Sequence, residues 1–249
     1  MRIVHYLNQF FGGIGGEDKA NFSPQAMPGV TGPGRAFQQA LSQEAEVVGT
    51  VVCGDGFFAD YMEQAAAAVL KLIEGFAPDM VIAGPAFNAG RYGLACGRVC
   101  ADVAHYLGKP AVTGMFKENA AVGLYPNLLI VSTSASAVGM KEALAGMARL
   151  ALKLGRGEAL GPAAVEGYLP RGQRINAFVV GSASSRALDL LLARIAGLPF
   201  TTEVPLPNYD KVPPPPPVTD PARLRLAVVT ESGLVPSGNP DRLEWVRAS

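Results

Sequence analysis

The chain has 249 residues, of which 49% are hydrophobic and 17% charged, enough apolar content to bury a core and to exclude a disordered chain. Lys plus Arg and Asp plus Glu balance at 21 each, so net charge gives no electrostatic reason to expect nucleic acid or a membrane surface as partner. Three cysteines cannot build a disulfide framework, and with no secretory leader and no apolar run of about 18 residues the sequence reads as cytoplasmic, without a membrane span.

Strand-like and helix-like runs alternate along the chain. IVHYL at 3–7 reads as a first strand, FQQALSQEA at 37–45 as a helix and VVGTVVC at 47–53 as a β-branched strand. An Ala-rich amphipathic helix is expected at 60–76, a strand at 80–84 and a helix from about 92 to 107. Strands follow at 110–114 and 128–132, then the longest helix at about 136–154, stopped by Gly155. Near-continuous apolar strands alternating with helices predict an α/β fold: a doubly wound, mostly parallel open sheet of the flavodoxin or Rossmann kind.

Residues 1–155 are expected to form an α/β domain with a site at its strand ends, and 156–203 to add further elements, a strand at 174–180 and a helix at 186–197. Residues 204–222 read as a Pro-rich linker, in which Pro213 to Pro217 favour an extended polyproline II strap. Residues 223–249 then read as the start of a second sheet region or a partner-docking segment, with a strand at 224–230.

Ligands of open parallel sheets sit outside the carboxyl ends of the strands, so the residues following each strand are the candidates. They are Asn8, Gly15, Gly16 and Glu17 after the first strand, and Cys53 and Asp55 after the second. Asn88, Arg91 and Tyr92 follow the third, and Thr113, Glu118 and Asn119 the fourth. Arg91 near a helix start suits a carboxylate, because free N–H groups there already favour an anion. The alternative is that Arg91 pairs with an acid of the same rim, such as Asp55 or Glu118.

FGGIGGE lacks the spacing of a dinucleotide fingerprint, since the third glycine position falls on Asp18, and it lacks the ending of a P-loop. Cys53, ending a strand, is a candidate nucleophile or base, although Asp55 two residues on would raise its pKa. Cys96 and Cys100, four apart on one helix, read as core packing, and no metal site is expected. His5 reads as a core histidine.

Several strings together resemble one family. VHYLNQFFGGIGGE, GTVVCGD, GPAFNAGRYGLACG, PAVTGM followed by ENAAVG, GYLPRG, PFTTEVPLPNYD and VTESGLVPSGNPD are similar, in order, to the amino-terminal half of selenoprotein B. This is component B of the glycine/sarcosine/betaine reductases. The resemblance implies an oxidoreductase subunit in a multi-subunit complex, acting in reductive C–N cleavage and passing the carbon unit to a selenol or thiol carrier. It implies a selenocysteine- or cysteine-bearing carboxyl half or subunit, a proprotein partner with a pyruvoyl group, and a selenoprotein A-like carrier. No cofactor is expected on this chain, which alone is expected to be inactive. Arg91 would hold the substrate carboxylate, Asn8 and the Gly15–Gly16 turn would approach it, and Glu118 would face the nitrogen. Betaine would instead favour the faces of Phe10, Phe11, Phe87 or Tyr92. Two further readings stand beside this one: a non-catalytic metabolite-binding module, and a racemase- or lyase-like enzyme using Cys53.

Overall fold

The computed structural model describes residues 1–171 and 181–200, together with scattered positions between 213 and 237. The chain divides into two compact units, Met1–Asn176 and Ala177–Ser249. The strands expected at 174–180 and 224–230, and most of the Pro-rich segment, lie outside the described residues.

The first unit is built on six strands: β1 (Arg2–Asn8), β2 (Gln25–Pro28), β3 (Glu46–Cys53), β4 (Met80–Phe87), β5 (Ala111–Met115) and β6 (Leu129–Ser132). Its helices are α1 (Gly34–Leu41), α2 (Asp55–Asp60), α3 (Met62–Glu74), α4 (Gly90–Asp102), α5 (Ala120–Leu124), α6 (Met140–Gly155) and the single turn α7 (Ala163–Glu166). The strands lie in the order β2-β3-β1-β4-β5-β6, parallel except for β2. The expected doubly wound sheet is therefore present, with the parallel strands in flavodoxin-like order and the winding reversing between β1 and β4.

Alternation along β1 sends Val4 and Tyr6 to one face and Ile3 to the other. The first face packs on α3 and α4 through Val69, Ile73, Val99 and Cys100, and the second on α1 and α6 through Phe37, Leu41, Leu144 and Met147. All eight residues of β4, the central strand beside the reversal, are buried. His5 takes the second face as a core histidine. It lies 5.6 Å from the Phe37 ring, and its Nε2 donates to the Gly84 carbonyl at 2.6 Å.

Four local features depart from the sequence expectations. The strand expected to end at Gly84 runs on to Phe87, because the chain bulges rather than turns: Ala83 pairs with Thr113 and Phe87 with Met115, so three residues of β4 stand against Gly114 alone. The helix expected at 60–76 is α3, Met62–Glu74, and a separate short helix that the sequence did not suggest, α2, precedes it and is capped at Tyr61. The helix expected to reach 107 is α4 followed by a π turn over Val103–Leu107, which Gly108 closes in the left-handed conformation. β2 has no counterpart in the sequence expectations. It is a short antiparallel edge strand flanked by Pro24 and ending at Pro28, the position in a sheet that tolerates proline.

The opposite edge is also covered. Beyond β6, Tyr168 bridges to Val131, Ser132 donates to the Gly167 carbonyl at 3.0 Å and Leu169 to the Ile130 carbonyl at 2.7 Å. In the second unit the described elements are α8 (Ala183–Ile195), capped by Ser182, whose Oγ accepts from the Ser185 N–H at 3.1 Å, and a 3-10 turn over Pro221–Arg223. Among the described residues no helix is long and apolar enough to cross a membrane.

Candidate functional site at the strand ends

The reversal between β1 and β4 leaves two loops facing each other at the carboxyl edge, residues 9–24 and 88–89. The first is tied down by backbone bonds. Gly12 donates to the Asn8 carbonyl at 2.8 Å, Ile14 to Gln9 at 2.9 Å, and Gly54 to Phe22 at 2.8 Å. Gly32 is required here, because with φ +51 a Cβ would fall 1.9 Å from the Phe11 carbonyl oxygen.

Across this crevice Arg91, in the first turn of α4, forms an ion pair with Glu17 on a 3-10 turn over Glu17–Lys19. Both side chains are well exposed, and the Arg91 guanidinium is held further toward its charged form by this partner. Arg91 thus pairs with an acid of its own rim, but with Glu17 rather than Asp55 or Glu118. Glu118 instead sits exposed, 4.0 Å from Lys117.

Beneath the pair the groups become buried. The Asn8 carboxamide is spent on structure: its Nδ2 donates to Asp55 Oδ2 at 3.0 Å and its Oδ1 accepts from the Phe11 N–H at 2.9 Å. Gln9, which carries no signal of its own in the sequence, is buried and accepts from the Asp55 N–H at 2.9 Å. These bonds fix the first residue of α2. Burial pushes the Asp55 carboxyl up, while the Asn8 bond and the Arg91 charge pull it back. Asp55 Oδ1 remains buried without a partner.

Three more hydroxyls on the same face of the sheet share that condition: Tyr6 on β1, Tyr92 on α4 and Thr113 on β5. The Tyr92 oxygen approaches the Asn8 backbone and the Cys96 thiol without completing a hydrogen bond. Tyr6 is legible in the sequence only as a strand residue. Its place two residues before Asn8, on the same side of β1, is the signal that would have found it.

Cys53 is fully buried, and burial followed by the Asp55 charge pushes its thiol up to about 12. Such a thiol stays protonated at neutral pH, as a packed core group does. Cys96 and Cys100 are buried and shifted in the same direction. Asn119, expected to contact substrate, is nearly fully buried and bonded on all sides. Its Oδ1 caps α5 through the Ala121 N–H, and its Nδ2 donates to the Phe87 and Ala89 carbonyls at 2.9 and 3.1 Å. It therefore holds the β4–α4 loop in place.

The aromatic candidates form a file from solvent to core. Phe10 is exposed and lies 5.3 Å from Phe11, and the half-buried Phe11 lies 5.9 Å from Tyr92 and 6.4 Å from Phe87. Asn88 is exposed at the loop, where its N–H donates to the Ala135 carbonyl at 3.2 Å. Gly15 is half-buried; a Cβ there would meet only the Lys19 side chain and Asp18, and one on Gly16 only Asp18. Among the described residues no group of three or more His, Cys, Asp or Glu is placed to hold a metal.

The fold and this crevice define an open α/β protein with a polar site at its topological reversal, over the side of the sheet that α3 and α4 cover. The chain belongs to the family described as glycine/sarcosine/betaine reductase selenoprotein B, which it matches over residues 1–249. It is 51% identical over 249 residues to the glycine reductase complex component B subunit gamma of Carboxydothermus hydrogenoformans, covering 100% of this chain and 57% of that protein. It is 45% identical over 245 residues to the sarcosine reductase complex component B subunit beta of Peptoclostridium acidaminophilum, 98% of this chain and 56% of that one. With the betaine reductase complex component B subunit beta of the same organism it shares 39% over 251 residues, 100% of this chain and 57% of the relative. The chain thus spans a little over half the length of the curated relatives it matches. No solved structure matches it.

Proposed function

We propose that this chain is the substrate-binding part of a component B of the glycine/sarcosine/betaine reductase type, within a multi-subunit oxidoreductase. The names of its relatives support the reductase reading. The observation that carries the site is the Arg91–Glu17 ion pair across the β1/β4 reversal. A free amino acid is itself a carboxylate and an ammonium held a few ångströms apart. Such a zwitterion can exchange with the pair, its carboxylate on Arg91 and the amino terminus of α4, its nitrogen toward Glu17 and Asp55.

The chain's own contribution is to bind, orient and partly desolvate the substrate. All three of its cysteines are buried, so no thiol here is placed for exchange with a carrier. The selenol or thiol and the pyruvoyl group that such a reaction requires are therefore assigned to partner chains or to the part of component B beyond the matched half. When present, they supply the electrophile for the amine and the acceptor for the carbon unit.

Calorimetric titration of glycine, sarcosine and betaine into the chain and into its assembled complex tests this. We expect Arg91→Gln to weaken binding of every ligand that binds the wild type by at least about tenfold, the worth of one charge-assisted hydrogen bond. Unchanged affinity in Arg91→Gln would remove Arg91 as carboxylate holder.

A further inference from the structure

The crevice floor carries acceptors that the fold itself leaves without donors. Asp55 Oδ1 and the Tyr6 and Tyr92 hydroxyl oxygens are buried and unpartnered, and both tyrosines are fully enclosed. They stand close together: the two tyrosine rings are 6.4 Å apart, and Asp55 is anchored beside them through its other oxygen by Asn8, two residues after Tyr6. The two phenols are pushed up, first by burial and then in part by the Asp55 charge, which places the carboxylate within electrostatic reach of both. Next to them the backbone is tightly packed at Gly84: a Cβ there would fall 2.7 Å from the Ala86 nitrogen, with Cys96 Sγ and Thr113 Oγ1 at 3.5 and 3.6 Å.

The sign of this cluster is negative. Its charged member is a carboxylate, and the nearby cation, Arg91, is engaged by Glu17 at the surface. We propose that Asp55, Tyr6 and Tyr92 form a nitrogen subsite that selects a primary ammonium over a methylated one, a proposal that rests on reading the rim as a zwitterion site. Three acceptors match the three N–H donors of a primary ammonium. A secondary ammonium brings two donors and a quaternary nitrogen none, and each missing donor leaves one of these oxygens buried and unpaired. A site built to hydrogen-bond an N–H discriminates strongly against the analogue that lacks it. Phe11, half-buried against Tyr92 and Phe87, lies on the way in from the exposed Phe10.

Binding of glycine, sarcosine and betaine to the 249-residue chain is compared with binding to Tyr6→Phe, Tyr92→Phe and Asp55→Asn. Thermal unfolding serves as the check that each variant is folded. We expect the wild type to bind glycine roughly tenfold more tightly than sarcosine, and betaine more weakly still. The tyrosine variants, which lose no bond that the unliganded fold makes, bring the three affinities toward parity. Asp55, partly exposed, supplies a variant whose folding does not depend on replacing a core ring. Equal affinities in the wild type, or an unchanged ratio in the folded variants, overturns the subsite. If Arg91→Gln still weakens binding in that case, the zwitterion reading stands without it. If none of the three ligands binds the wild type, that reading falls and the subsite with it.

Discussion

The Asn119 carboxamide occupies the space that a side chain on Gly93 would need: a Cβ on Gly93 would meet Asn119 Oδ1 at 2.3 Å and its Nδ2 at 2.5 Å. The two residues work as a lock between α4 and α5. Because Asn119 also bonds the Phe87 and Ala89 carbonyls, the lock sets where the first turn of α4, and with it Arg91, stands. Asn119→Ala removes a helix cap and the second donor to the Phe87 and Ala89 carbonyls, which keep only the Phe116 and Gly93 N–H groups. We expect a loss of about 2–3 kcal/mol in urea unfolding, together with weaker substrate binding. A loss within experimental error would mean that the loop holds itself.

His5 predicts an acid-sensitive fold. Burial lowers its pKa from 6.5 to about 4, with the Gly84 bond opposing the shift. Between those two values the unfolded chain binds the proton and the native chain does not. Stability conferred by the neutral ring is therefore fully present above pH 6.5 and is lost as pH falls toward 4, by on the order of 3 kcal/mol. Asp55, whose carboxyl is raised, acts in the opposite direction at the acid end. Urea midpoints at about pH 7.5, 6 and 5 should fall for the wild type and fall less for His5→Gln. Parallel curves would remove His5 as the cause.

The cysteines predict low thiol reactivity. With Cys53 and Cys100 pushed up to about 12 and all three buried, a thiol reagent at about pH 8 should label the native chain roughly a thousandfold more slowly than the urea-unfolded chain. Rapid labelling of Cys53 alone in the native chain would support it as a base.

Gly84 predicts a position intolerant of substitution. Its φ is +91, and a Cβ would fall 2.7 Å from the Ala86 nitrogen. Gly84→Ala should cost at least about 2 kcal/mol by chemical denaturation and should disturb ligand binding, because the His5 bond and the path of β4 toward Arg91 both depend on this residue. A stable Gly84→Ala variant with native binding would show that the bulge can be rebuilt.

The parallel core of the sheet was legible because strands buried on both faces write themselves as apolar runs, as in IVHYL and VVGTVVC. The extension of β4 was not. Gly-Pro reads as a turn, and only the pairing of Phe87 with Met115 on the neighbouring strand keeps the segment in the sheet. β2 was hidden for a related reason, since its proline and exposed polar residue carry no strand pattern and its place is decided by β3. At the site, Arg91 and Glu17 could be named from loop position, but their pairing depends on which loops the winding brings together. The role of Asn119 could not be read, because its carbonyl partners come from a segment about 30 residues earlier.

The two borders of the sheet bear on how this chain would meet other subunits. On one side β2 runs against its neighbour and is bracketed by prolines, which lack the N–H a further strand would need. On the other, residues 167–169 already occupy the outward-facing groups of Ile130 and Ser132. Among the described residues, both borders are thus partly closed to backbone continuation from chain to chain. Association with a neighbouring subunit through this unit is then left mainly to side-chain surfaces, which can separate and re-form without unravelling the sheet.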